Sequence, residues 1–191
     1  MAKVWKLPPR VKLFEALGAI ADGRIGTAGE EGKETLALRD SNAPLPPFST
    51  ELSYLVTSSN GTKQYSVRMS IKCLGGPYRI ACNDNGSLHQ GYLGYPALAV
   101  LICWRLLVSP KLSDATLSAA VDALRGIPWK AIAVEHKNNW DVVVDKALER
   151  VTAKDPALTA QVNSVVDALH EELKTCCLPK CVRFGSKRGR D

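Results

Sequence analysis

The sequence predicts an α+β fold: an antiparallel β-meander over about residues 34–94, packed against an N-terminal helix and a C-terminal set of four to five helices. Three observations predict it. Tyr65, Val67, Met69, Ile71 and Cys73 alternate with Ser66, Arg68, Ser70 and Lys72, the period of a strand with one buried and one wet face. From about residue 95 onward apolar residues recur instead every three and four positions, the period of helices. The strand-like runs also precede the helix-like ones rather than alternating with them, which argues against a parallel sheet.

The elements follow in order. "KLPPRVKLFEALGAIADGR" reads as a helix, with Pro8 and Pro9 in its first turn, where a missing N–H costs nothing. Leu13, Phe14, Leu17, Ile20 and Ala21 share one face, and Gly23 is the stop signal. Residues 24–50, rich in Gly, Glu and Pro, read as a loop interrupted by one short strand, "TLALR". Two β-type runs then flank Asn60-Gly61, a hairpin signal in which both central turn positions call for positive φ. "PYRIAC" is the third strand of that meander.

Pro96 sits where a first-turn proline belongs, and Ala97–Val108 is apolar nearly all round, so this helix is expected to be buried between other elements. Ser113 or Asp114 caps the next helix, which points Leu117, Ala120, Val121 and Leu124 inward and stops at Gly126. "PWKAIAVEH" is a short helix. "NNWDVVVDKALERV" is longer, with Trp140, Val144, Ala147, Leu148 and Val151 aligned. Asp155-Pro156 opens the last, with Leu158, Val162, Val165, Leu169 and Leu173 inward. The organisation is one domain over residues 1–178 and a basic tail over 179–191.

Composition narrows the function classes. Hydrophobic residues at 46% of 191 suffice for a substantial core. No run of about 18 uncharged apolar residues marks a membrane span, and "MAKVWKLPPR" lacks the apolar stretch of a secretory signal. A cytoplasmic protein with no membrane partner is the expectation. The net charge of +6 is unevenly placed. Residues 1–14 carry +4 and residues 179–191 carry +4, which leaves a body of net −2. Charge therefore points to the ends: Lys180, Arg183, Lys187, Arg188 and Arg190 are the candidate nucleic-acid contacts, holding phosphates without reading sequence. A solubilising tail is the plainer alternative.

The densest stretch is "NDNGSLHQGYLGYPALAVL", residues 83–101. A helix starting after it would offer unpaired N–H groups and a dipole that favours an anion. Gly91 and Gly94 would let a ligand approach the backbone, and Tyr92 and Tyr95 would donate hydrogen bonds. Asp84, His89 and Tyr95 are the catalytic candidates, as groups able to move protons. The spacing matches no Walker, dinucleotide or EF-hand pattern. The plainer alternative makes Asn85-Gly86 a hairpin turn and packs the tyrosines on the sheet edge.

Of the other histidines, His136 shares the apolar face of its helix and His170, beside two glutamates, reads as solvated. Helices 114–153 have a helix-turn-helix outline, but Lys130, Glu135 and Lys137 make a weak recognition set. Among the six cysteines, Cys73 and Cys103 read as small core hydrophobes, and Cys82 as a reactive thiol if a cation lowers its pKa. "CCLPKC" brings Cys176, Cys177 and Cys181 together as candidate zinc or iron–sulfur ligands. A fourth ligand would come from Cys82, His170 or another chain, and a disulfide is the rival reading.

Three functions remain open. The first is a non-catalytic intracellular protein that works by association with nucleic acid, a ribonucleoprotein or a second copy of itself. The second is a small-molecule or anion binder, or an enzyme, with its pocket at residues 82–96. The third is a metal-binding protein through Cys176, Cys177 and Cys181. The cofactor is unknown from the sequence, with zinc or an iron–sulfur cluster entering only through the third reading.

Overall fold

The computed structural model describes residues 4–28, 34–44, 50–71 and 78–176. The fold is α+β. Strands β1 (Ile25–Thr27), β2 (Thr50–Thr57), β3 (Gln64–Ile71) and β4 (Arg79–Cys82) form an antiparallel sheet in the order β1-β2-β3-β4. Around it stand α1 (Val11–Ala21), α2 (Tyr95–Cys103), α3 (Asp114–Ala123), α4 (Trp129–Glu135), α5 (Trp140–Lys154) and α6 (Pro156–Thr175). No helix among the described residues is long and apolar enough to cross a membrane.

The alternation read in β3 decides which face of the sheet is dry. Val67 and Met69 are buried, and their register partners Tyr54 on β2 and Ile80 and Cys82 on β4 are buried with them. Against this face lies α2, which touches β3 and β4, with α1 packed beside α2. Helices α3, α5 and α6 cover the far side of α1. The middle layer is accordingly the driest. Every residue of α2 from Pro96 to Cys103 is buried, and each of its leucines contributes about 1.5–3 kcal/mol by leaving water. In α1 all but Lys12 and Glu15 are buried, so the helix is covered nearly all round rather than on one face.

The helix signals work largely as the sequence predicts. Gly23 adopts φ +62°, and the Arg24 N–H donates to the Ala19 carbonyl at 3.0 Å, closing α1. Ser113 caps α3 by accepting from the Thr116 N–H. Asp155 caps α6 by accepting from the Ala157 N–H.

Several expectations are corrected. "TLALR" is not a strand. Only Thr35 bridges to Gly26, and the first strand is the shorter Ile25–Thr27. The hairpin turn is longer than two residues. The Gly61 N–H donates to the Ser58 carbonyl and the Ser58 N–H to the Lys63 carbonyl, and only Gly61 has positive φ. Helix α2 stops at Cys103, not Val108, because Arg105 is left-handed with φ +56°. Its Nε donates to the Arg39 carbonyl at 2.8 Å and its guanidinium meets Asp114 at 3.0 Å. His136 falls just past the end of α4, half-buried. His170 is not simply solvated: its Nε2 lies 3.1 Å from the Pro8 carbonyl.

Candidate ligand cleft

The two polar residues of α1 mark the site. Lys12 and Glu15 face the same way one turn apart and pair at 2.6 Å, each side chain only about an eighth exposed. They line a cleft of about 290 Å³. One wall is the tip of the β2–β3 hairpin, from Ser58 to Lys63, with Tyr65 below it. The opposite wall is the start of α4, Trp129 and Lys130, and the start of α5, Trp140.

Each wall is held by a specific contact. The hairpin tip is stiffened by Asn60, whose Oδ1 accepts from the hydroxyls of Ser58 and Thr62. The tip is joined to α4 where the Lys130 N–H donates to Ser59 Oγ at 3.0 Å. Helix α4 is seated on α1 through Trp129, whose buried indole lies against Gly18. A Cβ there would come within 2.6 Å of Nε1, so glycine is what admits the ring. Trp140 lies under the Lys12 ammonium, 4.3 Å from ring centre to Nζ, a cation–π contact.

Charge in this cleft is one-sided. Lys12, Arg24, Lys63 and Lys130 line it against a single carboxylate, Glu15. Lys12 is taken up by Glu15, and Arg24 by Asp22 and the Thr57 carbonyl. Lys63 and Lys130 have no carboxylate partner among the described residues and stand exposed at the mouth.

An annex of about 190 Å³ adjoins the cleft across Lys12, Tyr65, Asn85, Tyr95 and Trp140. The stretch singled out in the sequence builds it: Asp84, Asn85, Gly86, Gln90, Tyr92, Gly94 and Tyr95 line the annex, while Gly91 and His89 do not. Asn85-Gly86 is not a hairpin turn. It opens a π-helical turn, Gly86–Gln90, closed by Gly91 at φ +83°. His89 is exposed on that turn.

Asp84 organises the turn. One carboxylate oxygen accepts from the Gly86 and Ser87 N–H groups at 2.8 and 3.2 Å, the other from Ser87 Oγ at 2.6 Å. The carboxylate presses on Gly94, which precedes α2: a Cβ there would lie 1.9 Å from Oδ1. The mouth of α2 was expected to hold a foreign anion. The protein's own carboxylate stands beside it.

Tyr95 meets Tyr65 edge-on, ring centres 5.8 Å apart. Burial pushes the Tyr95 phenol far above its ordinary range, Tyr65 adds to that, and Arg24 draws it back in part. Tyr95 is therefore neutral at physiological pH and suited to hydrogen bonding rather than to proton abstraction. Cys82 is not an activated thiol. Burial first, then the neighbouring Asp84 charge, pushes its pKa up. Cys176 lies 3.8 Å from the Tyr78 hydroxyl. The described residues contain no group of three or more His, Cys, Asp or Glu able to hold a metal. Cys177 and Cys181 lie outside the described residues, as do Lys180, Arg183, Lys187, Arg188 and Arg190.

Sequence reasoning found the annex wall but missed the cleft it opens into. Lys12 and Glu15 were legible as the two polar interruptions of an apolar helix. That Lys63, Lys130 and Trp140 meet carried no signal, because nothing local brings a hairpin tip to the starts of two later helices.

The model of a family described as Uncharacterised conserved protein UCP014422 matches residues 47–178, over two thirds of the chain. No curated protein and no solved structure matches.

Proposed function

The chain belongs to this family of uncharacterised conserved proteins, and from its cleft we propose that it is a non-catalytic binding protein for a small anionic ligand. One observation carries the reading: two lysines without carboxylate partners among the described residues, Lys63 and Lys130, stand on walls tied together through Ser59, in a cleft that Tyr65, Tyr95 and Trp140 also line. The backbone contacts fix the two walls from which these lysines extend, so no movement of the walls is needed on binding. A phosphate or carboxylate bridging both would form charge-assisted hydrogen bonds, the stronger kind.

Binding fits the residues better than catalysis. Asp84, the best candidate base, already accepts three hydrogen bonds. His89 lies outside both cavity linings, and Tyr95 keeps its proton.

Calorimetry with pyrophosphate and small dicarboxylates tests this. Lys63→Ala and Lys130→Ala should each weaken binding about tenfold, and salt should weaken it further because both ammonium groups are exposed. Wild-type affinity in the double variant would remove the reading.

A second reading rests on the basic segment at 179–191, which would attach the protein to a polyanion such as nucleic acid. Removing residues 180–191 should then lower affinity for mixed single-stranded RNA and flatten its salt dependence. Unchanged affinity would discard this reading.

A further inference from the structure

We infer that the anion is carried on a hydrogen-bonding heteroaromatic ring, so that the cleft and its annex together take a nucleoside phosphate, base in the annex and phosphate between Lys63 and Lys130. This deepens the anion-binding reading and rests on it.

The two chambers differ in charge. The larger holds Lys63 and Lys130, without a carboxylate partner among the described residues, whereas the annex sets the Asp84 carboxylate, 6% exposed and fixed by its hydrogen bonds, against Lys12, whose charge Glu15 already takes up. A ligand anion placed in the annex would face that fixed negative charge. A neutral group would not. The ligand is thus oriented, anion toward the hairpin tip and neutral portion toward the π-helical turn.

The annex also specifies what the neutral portion is. Tyr65, Tyr92, Tyr95 and Trp140 border it, four aromatic side chains among its ten lining residues. Aromatic faces accept planar rings, and stacking a base on such a face is worth about 1–3 kcal/mol. At its rim stand Asn85 and Gln90, both exposed, neither amide having a hydrogen-bond partner among the described residues. A primary amide presents a donor and an acceptor side by side, the pattern that matches the edge of a nucleobase. A purely apolar ring would leave both amides unused, and a sugar phosphate would leave the aromatic side chains bare.

The test uses the full chain and calorimetric titration with AMP, GMP, CMP and UMP, with ribose 5-phosphate as the ring-free reference. At least one nucleotide should bind about tenfold or more tightly than ribose 5-phosphate. Asn85→Ala with Gln90→Ala should reduce that preference severalfold, the share that comes from stacking on the aromatic rings being kept. Both residues are exposed, so an unchanged thermal melt will verify the fold. A short single-stranded oligonucleotide that binds more tightly than the best nucleotide, with the same dependence on Asn85 and Gln90, would assign the base and phosphate to a strand end. Equal affinity for ribose 5-phosphate and all four nucleotides would overturn the ring and leave the anion reading standing. No affinity for any phosphate compound would overturn the nucleotide, and with no affinity for small dicarboxylates either it would overturn both.

Discussion

Asp84 turns its carboxylate inward, and that governs what the residue does. Asp84→Ala would leave the Gly86 and Ser87 donors without an acceptor in a buried place. The expected loss is about 3 kcal/mol in urea unfolding. Gly94→Ala should cost about as much, since the new methyl has no room beside Asp84. His89→Ala, on the exposed side of the same turn, should stay within about 0.5 kcal/mol. A large loss for His89→Ala and none for Asp84→Ala would invert this assignment. The sequence could not separate these roles. Asp, Gly and His in one polar run suit a reactive loop and a self-capped turn equally, and only the π-helical backbone aims the N–H groups of Gly86 and Ser87 at the carboxylate.

Helices and strands were legible where their own periodicity defined them. The alternation of β3 placed Val67 and Met69 on the dry face, and the caps at Ser113 and Asp155 stand where side-chain chemistry put them. The end of α2 was not legible. Leu106, Leu107 and Val108 continue its apolar character, and what stops the helix is tertiary: Arg105 is held left-handed by Arg39 and Asp114, residues from before and after it in the chain. The three-residue β1 is too short to show a period, so the longer "TLALR" drew the strand assignment. The Arg105 position is testable with paired variants. Arg105→Ala and Arg105→Gly both lose the ties to Arg39 and Asp114, but only alanine keeps the left-handed penalty. The glycine variant should be more stable by about 1 kcal/mol in chemical denaturation. Equal or reversed stabilities would deny that α2 ends through this conformation.

Across the whole molecule, the buried α1–α2 layer sets both stability and the position of the cleft. It keeps ionisable groups out of water, which fixes a pH dependence. Burial raises the thiols of Cys82 and Cys103, the latter to about 12, above the ordinary value of 9.0. It likewise raises the phenols of Tyr78 and Tyr95 above 10.0. Above about pH 9 the unfolded chain releases these protons while the folded chain keeps them, so alkali favours unfolding. Stability should be intact below about pH 9, and the urea midpoint should fall steadily by about pH 11. A flat midpoint over that range would contradict the burial. The cleft itself is a whole-molecule property. Its walls come from α1, the β2–β3 hairpin and the starts of α2, α4 and α5, so no stretch of sequence announced it. The binding account is tested most directly by following backbone amide ¹H–¹⁵N shifts during titration with AMP. The account predicts perturbations gathered at Ser58–Lys63, Asn85, Gln90 and Lys130; shifts confined to residues 177–191, or none at saturating ligand, would contradict it.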